Sequence, residues 1–286
     1  MSRIAYVNGQ YVPHAQAGVH IEDRGYQFAD GVYEVCEVRD GHMVDERRHM
    51  ARLVRSLAEI RIRMPMPLSA LAVVLRETLR RNRVRNGLVY LQVTRGVARR
   101  DHYFPDPSTP PSIVVTARSS DPAKAEAQAS EGIAVITVPE NRWARVDIKT
   151  VGLLPNVLAK QAAKEAGARE AWFVDGEGRV TEGGSTNAWI VTGEGRLITR
   201  QADNAILRGI TRTVMMEVAE KLQLRVEERA FTVAEAMAAK EAFVTSATNF
   251  ATPVVRIDGQ PIGDGTPGRV ARTLRETFHQ VAEIAP

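Results

Sequence analysis

Ser119-Ser120-Asp121-Pro122-Ala123-Lys124-Ala125-Glu126-Ala127-Gln128-Ala129-Ser130-Glu131-Gly132 is polar, rich in alanine and almost without apolar patterning. Such a stretch reads as an interdomain linker. It divides the chain into an N-terminal domain, 1–118, a linker, 119–131, and a C-terminal domain, 132–286. Upstream of it, strand patterns at 88–95 and 112–117 follow helical periodicity over about 46–62 and 69–84. The chain opens with a hairpin signal, Ala5-Tyr6-Val7-Asn8-Gly9-Gln10-Tyr11-Val12, in which Asn-Gly suits a tight primed turn. A second hairpin is expected around Asp40-Gly41. Downstream, the pattern predicts a strand at 133–138, a helix at about 156–167, a strand pair around Asp175-Gly176 and strands near 187–199. A helix at 210–222, strands at 242–246 and 252–257, and a closing helix at about 267–283 complete it. Strands and helices mix without regular alternation, which makes the class α+β.

At 286 residues, with 44% hydrophobic and 25% charged content, the chain has the composition of a globular protein and the length for two domains. It has no apolar run long enough to span a membrane and no signal-peptide layout, so a cytoplasmic location is expected. Its single cysteine, Cys36, lies in the strand-like Val32-Tyr33-Glu34-Val35-Cys36-Glu37-Val38 and reads as a buried small hydrophobe. The net charge of +4 and a pI near 9.4 raise the question of nucleic acid. The densest basic run, Arg76 to Arg85, closes a helical pattern where cations suit the helix end, and it lacks interleaved aromatics. No nucleic-acid partner is expected. The six histidines include no close helical pair with an accompanying Glu, so no metal site is expected. A Gly-x-Ser-x-Gly elbow and a nucleotide-type phosphate loop are also missing, which argues against hydrolase and nucleotide-dependent chemistry.

The chemistry is better sought among the lysines, of which there are six: 124, 149, 160, 164, 221 and 240. Five sit in polar or Ala-rich surroundings and read as solvated surface groups. Lys149 lies instead in Val146-Asp147-Ile148-Lys149-Thr150-Val151-Gly152-Leu153-Leu154, where apolar neighbours could partly desolvate its amine and lower its pKa. A desolvated amine can attack a carbonyl, as in a Schiff base with pyridoxal phosphate. That cofactor also needs an acid against its pyridine nitrogen, and Glu182, in Thr181-Glu182-Gly183-Gly184-Ser185-Thr186-Asn187, is the candidate. Leu207-Arg208-Gly209-Ile210-Thr211-Arg212 opens an amphipathic helix whose first N–H groups, at Ile210 and Thr211, could receive a phosphate. The same residues also fit a plain helix start with Thr as a cap. Arg52, in His49-Met50-Ala51-Arg52-Leu53, is a possible second anion partner or a solvated helix arginine. Arg100 and His102, two apart in a loop, could clamp a carboxylate or belong to an ordinary polar loop. Tyr33 fits a core or interface aromatic with a satisfied hydroxyl.

Taken together, these segments resemble the class IV pyridoxal-phosphate aminotransferases, fold type IV, and within them the D-amino-acid aminotransferase branch. The ordered matches are Glu22-Asp23-Arg24-Gly25-Tyr26-Gln27-Phe28, Asp30-Gly31-Val32-Tyr33-Glu34, Arg52-Leu53, Val93-Thr94-Arg95-Gly96, Asp147-Ile148-Lys149 and Asn156-Val157-Leu158-Ala159-Lys160-Gln161. Val180-Thr181-Glu182-Gly183, Gly209-Ile210-Thr211-Arg212 and Phe243-Val244-Thr245-Ser246 extend them over most of the chain.

The resemblance implies a small and a larger α+β domain holding pyridoxal 5'-phosphate in a homodimer. It implies that Lys149 binds the cofactor covalently and carries the proton, that Glu182 pairs with the pyridine nitrogen, and that Arg52, Ile210, Thr211 and Ser246 hold the phosphate. It further implies that Tyr33 lines the site and that Arg100 and His102 trap the substrate α-carboxylate, partly across the dimer interface. The activity implied is transamination of D-amino acids such as D-alanine with 2-oxoglutarate, a ping-pong scheme giving 2-oxo acids and D-glutamate. Branched-chain L-amino-acid aminotransferases and aminodeoxychorismate lyases share the Lys and Glu and are the alternatives. The Arg-x-His loop resembles the D-amino-acid branch. Two positions depart from the pattern: Ala247 replaces a common hydroxyl residue beside Ser246, and Ala29 replaces a common Gly before Asp30.

Overall fold

The computed structural model describes residues 3–284, and among them the chain forms two compact α+β units. One unit comprises the chain up to Asp121 with Ile148–Gly152 and the end of the chain from Glu283; the other comprises Pro122–Asp147 and Leu153–Ala282.

In the first unit, β1 (Ile4–Val7), β2 (Gln10–Pro13), α1 (Arg24–Phe28), β3 (Gly31–Arg39), β4 (His42–Met43), α2 (Glu46–Glu59), α3 (Leu68–Asn82), β5 (Gly87–Thr94) and β6 (Ser112–Ser119) follow in order. Their six strands form an antiparallel sheet in the order β2-β1-β6-β5-β3-β4. Asn8 (φ 45°) and Gly9 (φ 97°) both take the left-handed region, as a primed two-residue turn between β1 and β2 requires. Leu53 and Leu57 of α2 and Leu71 and Leu75 of α3 pack in one core with Val32, Cys36, Val89, Leu91 and Val93 of the sheet. Because side chains alternate along a strand, β3 turns Val32, Glu34, Cys36 and Val38 inward and leaves Tyr33 and Val35 half-buried on the other face. Ile148–Gly152 joins this unit through the backbone. The Tyr33 N–H donates to the Lys149 carbonyl (3.0 Å), the Val151 N–H donates to the Gly31 carbonyl (3.1 Å), and Ile148 enters the core.

Ala29, where the family commonly has Gly, ends α1 in the left-handed region at φ 56°. An L-residue there costs roughly 1–2 kcal/mol that glycine avoids. Ala29→Gly is therefore expected to stabilise the protein by about 1 kcal/mol in denaturant unfolding; a loss of stability would show that the methyl group has a packing role that offsets the strain.

The second unit begins with α4 (Pro122–Glu131), so the stretch expected as a linker is mostly helical. Its alanines favour a helix intrinsically. Only Ala129 is buried, which is why little apolar pattern was needed. Glu126 also pairs with the buried Arg275 at 3.0 Å. Then follow β7 (Ile133–Pro139), α5 (Leu154–Glu165), β8 (Glu170–Val174), β9 (Arg179–Gly183), β10 (Asn187–Val191), β11 (Leu197–Thr199), α6 (Ile210–Lys221), β12 (Val226–Glu228) and β13 (Phe231–Thr232). Last come α7 (Val233–Met237), β14 (Glu241–Ser246), β15 (Asn249–Ile257), β16 (Gln260–Pro261) and α8 (Arg269–Phe278). The strands form a mixed sheet in the order β12-β11-β10-β14-β15-β7-β8-β9-β13, with β16 on β15. Trp172, Ile190, Phe231, Val244 and Ile257 lie in its core. The pairing of Asn187 with Thr245 across β10 and β14 brings the segments after Glu182 and before Ser246 side by side.

Candidate active site

Lys149 is held by its backbone and placed against an aromatic face. Its carbonyl accepts from Tyr33, and its half-buried side chain puts Nζ 4.1 Å from the centre of the Tyr33 ring. A cation over a ring in this range is attracted by the ring's negative face. Tyr33 in turn stacks on Tyr90, with ring centres 5.7 Å apart. Burial, with Tyr33 as a further contributor, pushes the Tyr90 hydroxyl up to about 12. Of the other lysines, 124, 164, 221 and 240 are exposed as expected. Lys160 is not a free surface group: it donates to the Arg169 carbonyl at 2.6 Å and lies 3.2 Å from the buried Glu170.

Arg52 is not a solvated helix arginine. Its Nε and Nη2 donate to the two oxygens of Glu34 at 2.7 and 2.8 Å, a bidentate pair. Glu34 is fully buried and also lies 2.8 Å from Nδ1 of the buried His49. Burial pushes the Glu34 carboxyl up, but Arg52 and His49 together outweigh it and hold it at about 2. For His49, burial, joined by the positive charges of Arg52 and Lys149, lowers the pKa against the opposing pull of Glu34. The resemblance had not singled out Glu34 or His49 for a role. Their signal was a carboxylate at an inward position of β3 facing an Arg and a His three residues apart on α2.

Arg100 and His102 are both exposed and gather on Phe28. The Arg100 guanidinium lies 5.1 Å from the Phe28 ring centre, and the His102 ring centre lies 5.6 Å from it. The buried Arg24 pins their loop by donating to the Asp101 carbonyl at 2.6 Å, and its Nε pairs with Asp30 at 2.8 Å. A guanidinium and an imidazole are thus presented together from an anchored loop.

The second unit builds a site around Glu182, which is buried on β9. Its Oε1 accepts from Arg142 Nη1 at 2.5 Å; its Oε2 accepts from Asn187 Nδ2 at 3.0 Å and from the Leu207 N–H at 3.1 Å. Asn187 Nδ2 also donates to the Leu207 carbonyl at 3.0 Å. The approach demands glycine at 209, because a Cβ there would lie 2.1 Å from Asn187 Oδ1. Asn187 therefore ties Glu182 to the segment that enters α6. That helix starts with Gly209 at its N-cap and no side-chain capping bond, so Thr211, which is buried, is not a conventional cap. Ile210 and Thr211 lie in its first turn, and Ser246 follows Thr245, the β-sheet partner of Asn187. A cavity of about 610 Å³ lies beside this network, lined by Glu140, Arg142, Trp143, Val146, Asp203 and Asn204 among others.

Burial raises Glu182 to about 7, although Arg142 and the Leu207 N–H oppose it. When Glu182 is ionised, Glu140, Arg142 and Glu182 together carry one surplus negative charge. A protonated pyridine nitrogen facing Glu182 would offset that charge, so these residues fit the group the resemblance implies. The folded carboxyl (about 7) lies above the ordinary value of 4.5, so the folded state binds the extra proton between these pH values, and stability falls as pH rises through them. The cofactor-free protein is expected to lose up to roughly 3 kcal/mol in this way, and Glu182→Gln should flatten that part of the profile. Denaturant titrations from pH 4 to 8 check this; an unchanged slope in the variant would contradict it.

The model of the amino-transferase class IV family matches residues 31–257. The chain belongs to the class IV aminotransferases. Among curated relatives, this aminotransferase is 40% identical to a D-alanine aminotransferase of Staphylococcus haemolyticus over 97% of each chain. It is 41% identical to a D-alanine aminotransferase of Bacillus licheniformis over 94% of this chain and 93% of the relative. Among solved structures it resembles a branched-chain amino acid aminotransferase of Escherichia coli, with a TM-score of 0.91, 24% identity, and coverage of 98% of this chain and 95% of that one. It also resembles a T.th. branched-chain amino acid aminotransferase with pyridoxamine 5'-phosphate, with a TM-score of 0.89 and 27% identity over 98% and 94% of the chains. The α+β fold is thus the fold type IV one expected.

Proposed function

We propose that this aminotransferase uses pyridoxal 5'-phosphate to transfer the amino group of D-amino acids such as D-alanine to 2-oxoglutarate, giving 2-oxo acids and D-glutamate. The observation that carries the reading is the 40% identity to a D-alanine aminotransferase over 97% of both chains. When bound, the cofactor supplies an electron sink for the carbanion left as the substrate loses its α-proton. Lys149 would be its covalent tether and, once released, the base that takes that proton at Nζ. Glu182 would face the pyridine nitrogen. Arg52 and Ser246, with the first turn of α6 at Ile210 and Thr211, would hold the phosphate. Tyr33 would line the site under Lys149, which its ring position supports. The enzyme would act as a homodimer in the cytoplasm, and no helix among the described residues is long and apolar enough to cross a membrane.

Arg100 and His102 would take the substrate α-carboxylate. A charge-assisted hydrogen bond contributes roughly 1.5–3 kcal/mol. Arg100→Leu is therefore expected to lower kcat/KM for D-alanine and 2-oxoglutarate by about ten- to a hundredfold. A primary amine without a carboxylate should be far less affected. Equal losses on both substrate types would make the arginine structural.

A second reading, transfer from branched-chain L-amino acids, is supported by the likeness to a branched-chain amino acid aminotransferase at 27% identity. Assays with D-alanine and L-leucine side by side separate the two: turnover confined to L-leucine would replace the first reading with the second.

A further inference from the structure

We infer that Arg142 is a positioning residue that keeps the Glu182 carboxylate charged and aimed, and that Glu140 limits how strongly it does so. The inference rests on the reading that Glu182 serves the pyridine nitrogen, and it adds the residues that set the charge of that carboxylate.

The geometry is a relay of three charges. Arg142 is 3% exposed at its side chain, and its guanidinium lies against Phe173, 4.3 Å from the ring centre. Two of its nitrogens, Nε and Nη2, donate to the two oxygens of Glu140 at 2.9 and 2.6 Å. The third, Nη1, donates to Glu182 Oε1 at 2.5 Å. Glu140 is further fixed by the Thr181 hydroxyl at 2.7 Å and by the Arg142 N–H at 3.0 Å. The guanidinium therefore cannot swing toward Glu182 or away from it without breaking the Glu140 fork and the Phe173 contact. Glu182 receives its one charged hydrogen bond from this rigid group; its other two donors, Asn187 and Leu207, are neutral. A buried carboxylate without a cation reverts to the neutral acid. Glu140 offsets part of the Arg142 charge, so removing either neighbour should move Glu182 in opposite directions.

The test follows the Glu182 titration by carbon-13 NMR in the full-length protein labelled at glutamate, with the signal assigned by Glu182→Gln. Arg142→Gln should move the midpoint up by about 1–2 pH units, the effect of one charge-assisted hydrogen bond. Arg142→Lys should recover part of that shift, and Glu140→Gln should move the midpoint down. A purely structural role would lower the melting temperature but would not produce opposite shifts. An unchanged midpoint in Arg142→Gln, or shifts of the same sign in Arg142→Gln and Glu140→Gln, would overturn the inference. Should Arg142→Gln fail to fold, Glu140→Gln decides alone: a downward shift supports it and no shift overturns it.

Nitrogen-15 NMR of labelled cofactor in the holoenzyme separates the role of Glu182 at the pyridine nitrogen from the effect of Arg142 on Glu182. If Glu182→Gln leaves the pyridine signal unchanged, Glu182 does not serve that nitrogen, whatever the carbon-13 midpoints show. If the pyridine signal moves toward the neutral form in both Glu182→Gln and Arg142→Gln, the relay acts on the cofactor.

Discussion

Lys149→Ala is expected to lower kcat/KM for D-alanine by at least about 10⁴-fold, the upper end of what one positioned proton-transfer group contributes, while leaving the fold intact. The fold should survive because Lys149 is tied to β3 through its backbone carbonyl, which alanine retains, and because its side chain is only half-buried. No other lysine is placed to substitute: Lys160 is engaged by Glu170 and the Arg169 carbonyl, and the remaining four are exposed. Borohydride treatment followed by peptide mapping should find the pyridoxyl label on Lys149 in the wild type and none in the variant. A label on another lysine, or a variant that still turns over at the wild-type rate, would remove Lys149 from the reaction.

The second large effect concerns stability. Glu34→Gln leaves the Arg52 guanidinium buried without its carboxylate, and breaking a buried ion pair in this way costs roughly 3–5 kcal/mol. The pH dependence has the opposite sign to that of Glu182. Glu34 is held at about 2 in the folded protein against an ordinary 4.5, so its contribution is present above about 4.5 and is lost as pH falls toward 2. Urea titrations should therefore show a gap between wild type and variant that is full at pH 6 and narrows by about 3 kcal/mol toward pH 2. A gap that does not change with pH would mean that the substituted amide destabilises through packing rather than charge. Because Arg52 is also proposed to reach the phosphate, the variant should hold pyridoxal phosphate more weakly.

What could be read from the sequence follows physical range. The hairpin at Asn8-Gly9 and the alternation along β3 are local, and local chemistry dictates them. Lys149 stood out because its neighbours differ from those of the other lysines. The stretch 119–131 reads as a linker because it lacks an apolar stripe, yet alanine needs little burial to form a helix, and α4 covers 122–131 of it with one residue buried. The short helix α7 could have been found, since Thr232-Val233-Ala234-Glu235 spells a capping box and both of its bonds are present. Lys160 misled in the opposite way: its partner Glu170 comes from β8, and helical spacing says nothing of it. Glu34 left a readable trace as a charge on the inward face of a strand. Arg142 left none. It contacts Glu182 across 40 residues of chain, and only the fold brings the two together.

Pyridoxal-phosphate chemistry with a preference for the D-enantiomer has a signature in the absorption spectrum of the purified protein. A visible band from lysine-bound cofactor is expected to bleach when D-alanine is added, to return with 2-oxoglutarate, and to be unaffected by L-alanine or L-leucine. A visible band that bleaches with L-leucine and ignores D-alanine would contradict it.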